Sequence, residues 1–149
     1  MNRRLKFYLI GLAIGLPLYF LFFKKKPDGA APAVAEKTFP TELKVQFDCK
    51  SIGTEDTPQT IVSFSANGKT WPIDTVSQSH VFEKGEFAQH QIPATALAAC
   101  GGWWAGAGDY FYATREGDTL KIYQGWQEEQ QTENGFHYNA VRTLGAKDF

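Results

Sequence analysis

Ile61-Val-Ser-Phe-Ser-Ala-Asn67-Gly68-Lys-Thr-Trp-Pro-Ile73 is two apolar-rich runs joined by Asn-Gly, the dipeptide best suited to a type I′ hairpin turn. A turn of that kind sets the register. Ala66 falls opposite Lys69, Phe64 opposite Trp71 and Val62 opposite Ile73. Phe64, Trp71, Val62 and Ile73 then share one face, which predicts a single buried layer. Pro72 has no N–H to give a ladder, so its strand is expected at a sheet edge.

Working outward, Thr41–Cys49 alternates strictly. Leu43, Val45, Phe47 and Cys49 lie on one face, with Glu42, Lys44, Gln46 and Asp48 on the other, as in a half-buried strand. Ser51–Pro58 is polar turn material. Downstream, Ser79–Glu83 and Phe87–Ile92 read as short strands around Lys84-Gly85. Pro93–Cys100 reads as a short helix, with proline at its start and glycines after its end. Gly101–Asp109 reads as a glycine-rich loop. Tyr110–Thr114 and Thr119–Trp126 form a second hairpin across Glu116-Gly117-Asp118. Gln127–Gly135 is a polar loop and Phe136–Leu144 a last strand. The fold class expected is mainly β: a small antiparallel β-sandwich or barrel of about seven strands with one short helix, preceded by a transmembrane helix.

The transmembrane expectation comes from residues 7–23, an apolar run with no charged side chain, flanked by Arg3, Arg4, Lys6 and by Lys24, Lys25, Lys26. Seventeen residues at ~1.5 Å each give a helix of about 26 Å, and the flanking lysine stems make up the difference to a ~30 Å hydrocarbon core. Residues 1–26 are therefore read as a basic-flanked signal-anchor. The rival reading is a signal peptide cleaved after Ala35, since Ala33-Val34-Ala35 has small-x-small character, but three lysines and Pro27 stand before it. Charge on both flanks gives only a slight preference for a cytoplasmic N-terminus. Gly11 and Gly15 form a small-xxx-small pair through which two helices can approach, a pattern common by chance in apolar helices. Residues 27–40 are Pro/Ala-rich without apolar periodicity and read as a linker, leaving residues 41–149 as one extracytoplasmic β domain.

Charge divides at the linker. Residues 1–39 hold seven Lys/Arg and two Asp/Glu, net +5, and residues 40–149 hold eight and fourteen, net −6. An acidic domain without a basic stripe argues against nucleic acid, where phosphate neutralisation supplies most of the affinity. Cys49 and Cys100 are the only cysteines. Outside the cytoplasm they are expected to form a disulfide, worth about 4 kcal/mol by loop entropy; the alternative is a pair of buried thiols. Two cysteines without a CxxC do not make a zinc site.

Trp103 and Trp104 sit among glycines. With Trp126, Tyr110 and Tyr112 nearby in sequence, and Tyr123 beside them, they are candidates for an aromatic binding platform; the alternative is that these rings fill a small core. His80, His90 and His137 show no HxH or HxxxH spacing, so no metal is expected. Glu128, Glu129 and Glu133 lie in polar sequence that reads as a solvated face. Gly106-Ala-Gly-Asp109 lacks the Lys-Ser/Thr of a phosphate loop, and there is no Gly-x-Ser-x-Gly. No cofactor is implied. The expectation is a non-enzymatic, single-pass, membrane-anchored domain that binds a protein or envelope component. Its alternatives are a small-ligand or glycan-binding barrel and an accessory subunit of a larger membrane complex.

Overall fold

A computed structural model describes residues 37–129 and 137–149. The anchor at 7–23, the Gly11/Gly15 pair, the Ala35 cleavage site, most of the linker and Glu133 lie outside the described residues. Among those described, no helix is long and apolar enough to cross a membrane.

The described chain holds eight strands in two antiparallel sheets, one more strand than the sequence led us to expect. β1 (Val45–Ser51), β2 (Thr60–Ala66) and β3 (Lys69–Val76) form the first sheet in that order. β4 (His80–Val81), β5 (Ala98–Trp104), β6 (Ala107–Glu116), β7 (Thr119–Glu128) and β8 (His137–Leu144) form the second, also in chain order. Phe47, Val62 and Phe64 of the first sheet pack on Phe111, Leu120, Ile122 and Leu144 of the second, which makes a sandwich with an aliphatic and phenylalanine core.

The Asn67-Gly68 hairpin pairs as its turn dictates, with Ala66 against Lys69 and Phe64 against Trp71, and β3 lies at a sheet edge as Pro72 requires. The expected partnership of Val62 with Ile73 does not form. A bulge between Val62 and Ser63 sets Ser63 opposite Pro72 and Val62 opposite Asp74, so Ile73 is the extra residue. Pro72 interrupts the ladder there, and the bulge absorbs the interruption. Val62, Phe64, Trp71 and Ile73 still pack in one core, and beyond the bulge the alternation shifts, so that Asp74 and Val76 rather than Thr75 turn toward the second sheet.

Two local expectations fail in the segment that follows. Only His80–Val81 is strand, and Lys84–His90 is a 3-10 helix, not part of a hairpin. The Glu83 N–H donates to Glu86 Oε2 at 2.7 Å, and the Glu86 N–H donates to the Glu83 carbonyl at 2.9 Å, closing the first turn. Pro93–Cys100 is not a helix. Its last residues open β5, where Ala99 and Cys100 are both fully buried, on opposite faces of the sheet. A strand covered on both sides reads as a continuous run of small apolar residues, which composition does not separate from a helix. The cover on the outer face is the segment 82–96, whose Phe82, Phe87, Ile92 and Ala96 pack on Ala99, Tyr110 and Tyr112 as a second core.

The disulfide expected between Cys49 and Cys100 is absent. Both are free thiols that face each other from β1 and β5 in hydrogen-bond contact, short of bonding proximity. Cys49 Sγ also lies 3.5 Å from the Ser79 hydroxyl, so the sulfur is engaged by two hydrogen-bonding groups. These contacts, the one with Cys100 foremost, bring the Cys49 thiol down to about 7, whereas burial pushes Cys100 well up.

One end of the sandwich is closed. Phe149 meets Trp71 edge-on at 6.1 Å and Phe39 at 5.4 Å, and the Arg115 guanidinium stands 5.1 Å over the Phe39 ring. Lys69 Nζ donates to the carbonyls of Asp148 and Phe149 at 2.7 and 2.9 Å.

Candidate functional site

The opposite end carries the residues of interest. Gly101–Asp109 is no loop: β5 runs through Trp104, turns at Ala105-Gly106, and returns as β6. Its glycines mark places where other groups lie against the strands. A Cβ on Gly102 would stand 2.4 Å from the Gln78 carbonyl oxygen, so only glycine lets the 77–79 segment press against β5. On the other face, a Cβ on Gly108 would meet Trp103 Cε3 at 2.8 Å and Tyr110 Cε2 at 2.9 Å.

Strand alternation divides the aromatic residues singled out from the sequence. Ladder pairing aligns Trp104 with Ala107 and Trp126 with Asp109, on the face that also bears Cys100 and Phe111. Trp104 and Trp126 therefore belong to the inner face, past the end of the core, and are 40% and 46% exposed. Trp103 belongs to the outer face and is 40% exposed. Tyr110 and Tyr112 are buried in the second core, where Tyr112 stacks on Tyr123 at 4.8 Å and meets Tyr138 edge-on at 4.9 Å. The five residues thus form no single platform. Two indoles share the inner face, one indole sits on the outer face, and two phenols are packed.

Three polar side chains missed in the sequence sit on the same inner face. Gln124 Nε2 donates to Asp74 Oδ2 at 3.1 Å and to Asp109 Oδ1 at 3.3 Å, so one amide joins the two sheets through two carboxylates. Asp109 is half-buried beside Trp126 in the ladder. Burial raises its carboxyl above the ordinary range, the Gln124 hydrogen bond opposes the rise, and the negative charge of Asp74 adds to it. The second hairpin's register, which puts Asp109 opposite Trp126 and Phe111 opposite Gln124, is the signal that would have found two of these three. Asp74 was hidden because the bulge re-aims it.

Two clefts meet at Trp104. One, of about 500 Å³, is lined by Ser51, Thr54, Gln78 and Ser79 among others. The second, of about 310 Å³, is lined by Asp56, Thr75 and Ser77 among others. Trp104 and Pro58 border both.

The histidines do not converge on a shared centre. His90 stacks on Phe82 at 4.5 Å, His80 meets the same ring edge-on at 5.0 Å, and His137 lies on β8 opposite Trp126. Burial lowers the His90 pKa. Among the described residues no group of three or more His, Cys, Asp or Glu is placed to hold a metal ion. Glu128 ends β7, and the Glu129 N–H donates to the Gly106 carbonyl at 2.8 Å, fixing the β5–β6 turn from below. No protein-family model, curated protein or solved structure matches the chain.

Proposed function

We propose that this chain is a non-enzymatic binding protein, held in a membrane by residues 7–23, that presents its β domain on the extracytoplasmic side to a protein or cell-envelope component. The observation that carries the binding role is the exposure of three indoles at one end of the five-stranded sheet, Trp104 and Trp126 on its inner face and Trp103 on its outer face, each 40% or more exposed. Large rings left in water at one end, on strands fixed by a full ladder, supply contact area at little entropic cost. The carboxylates at that end hold Gln124 between them, which suits a rigid wall better than proton transfer. The anchor rests on the apolar run and its basic flanks. With both thiols free, the outward orientation rests on the linker and on the slight charge asymmetry alone.

The test is retention of envelope material by the full chain in nanodiscs, compared with the triple variant W103A/W104A/W126A of unchanged thermal stability. Loss of the retained component in the variant is expected. Equal retention by both proteins refutes the role of this end. A C-terminal topology reporter active only in the cytoplasm refutes the orientation.

A further inference from the structure

We propose that the two clefts meeting at Trp104 form one groove for an uncharged oligosaccharide, an inference that rests on the binding role argued above and names its ligand class. Size comes first. Volumes of about 500 and about 310 Å³ both fall in the ~300–1,000 Å³ range of small-molecule sites, and their common border at Pro58 and Trp104 makes them adjoining subsites.

Lining chemistry comes second. A pyranose needs a flat ring for its C–H face and groups that both donate and accept for its hydroxyls. The Trp104 indole supplies the first, standing exposed between the clefts, with the negative π face that attracts weakly positive C–H bonds. Ser51, Thr54, Ser79 and the Gln78 amide on one side, and Thr75 and Ser77 on the other, supply the second. A lipid chain would require a continuous apolar wall, which this alternation of hydroxyls breaks.

Charge comes third. No Lys, Arg or His lines either cleft, whereas Glu55 and Asp56 do. Phosphate, sulfate and uronate groups are therefore disfavoured, and neutral sugars remain.

The groove is also held in shape. The N–H groups of Ile52 and Gly53 donate to the Gln59 carbonyl at 2.8 and 3.2 Å, and the hydroxyls of Thr54 and Thr57 are hydrogen-bonded at 2.9 Å. The 77–79 wall is pressed onto Gly102. Little ordering is left for a ligand to impose.

The experiment uses the full chain in a detergent without a sugar headgroup, titrated with cellotetraose, chitotetraose and tetragalacturonate, read by tryptophan fluorescence and calorimetry. Binding of at least one neutral tetramer is expected, with no binding of the anionic one. Trp104→Ala is expected to weaken it about tenfold or more, and Trp104→Phe to retain most of it, with melting temperatures unchanged in both. Failure of both neutral sugars, preference for the galacturonate, or indifference to Trp104→Ala overturns the proposal. Protease treatment of the envelope material separates the two readings. If retention depends on the tryptophans but disappears on proteolysis, the binding role stands and the glycan falls. If the triple variant retains as much as the parent, both fall.

Discussion

The two ends of the sandwich are built from the same materials and finished differently. At one end Trp71 stacks on the buried Phe64 at 6.4 Å and is closed off by Phe149, itself braced by Phe39 and the Arg115 guanidinium. At the other, Trp104 and Trp126 extend the inner face with 40% and 46% of their surface in water, and the space beside them is filled by an amide and two carboxylates. An indole on the inner face is thus core or contact surface according to what covers it, not according to its strand. The covered end supplies stability. The uncovered end leaves apolar surface that folding does not use.

The largest expected effect separates the ends directly. Trp71→Ala removes a half-buried ring from an aromatic cluster and is expected to cost about 2–3 kcal/mol in chemical denaturation, whereas Trp126→Ala is expected within about 0.5 kcal/mol of the parent. Equal losses at the two positions would show that the open end is also core.

A smaller effect follows from the raised carboxyl of Asp109. The unfolded chain gives up this proton more readily than the folded one. The group therefore favours the folded state below the ordinary carboxylate range and loses that contribution as pH rises through its elevated folded pKa. Asp109→Asn is expected to match the parent near pH 3 and to melt at a higher temperature at pH 7, where the parent carries a half-buried charge facing Asp74. A lower melting temperature at pH 7 would mean that the Gln124 hydrogen bond outweighs the burial.

The smallest effect is kinetic and leaves stability untouched. Cys49, partly exposed and brought to about 7, is expected to react with a maleimide at a rate that rises through neutral pH. Cys100, fully buried with its thiol pushed up, is expected to react only after unfolding. Equal labelling of both in native protein would show that the sheets part readily between β1 and β5.

Residues with a strong local preference were legible in the sequence. Asn67-Gly68 announced its hairpin, and the alternation through Leu43, Val45, Phe47 and Cys49 announced the inner face of β1. Legibility failed where long-range packing decides. Ala98–Cys100 lost its strand signature because it is covered on both faces, and the glycines of 101–108 mimicked a loop because side chains and backbone lie against them. The site was half visible for the same reason. Trp104 and Trp126 stood out by type, but their separation from Trp103, Tyr110 and Tyr112 required the register of three strands. Asp74 required a bulge that no residue type announces.

Ile73, the one unpaired residue of β3, works as a phase shift in the chain. Upstream of it odd-numbered side chains point inward, and downstream even-numbered ones do. Excising this single residue would leave Val62 opposite Asp74 and close the ladder into regular pairing, so Asp74 would keep its face toward Gln124 while β3 lost its kink and the Ile73 side chain packed on the core. The extra residue thus lets one edge strand give an apolar side chain to the core and, in the next position, a carboxylate to the other sheet.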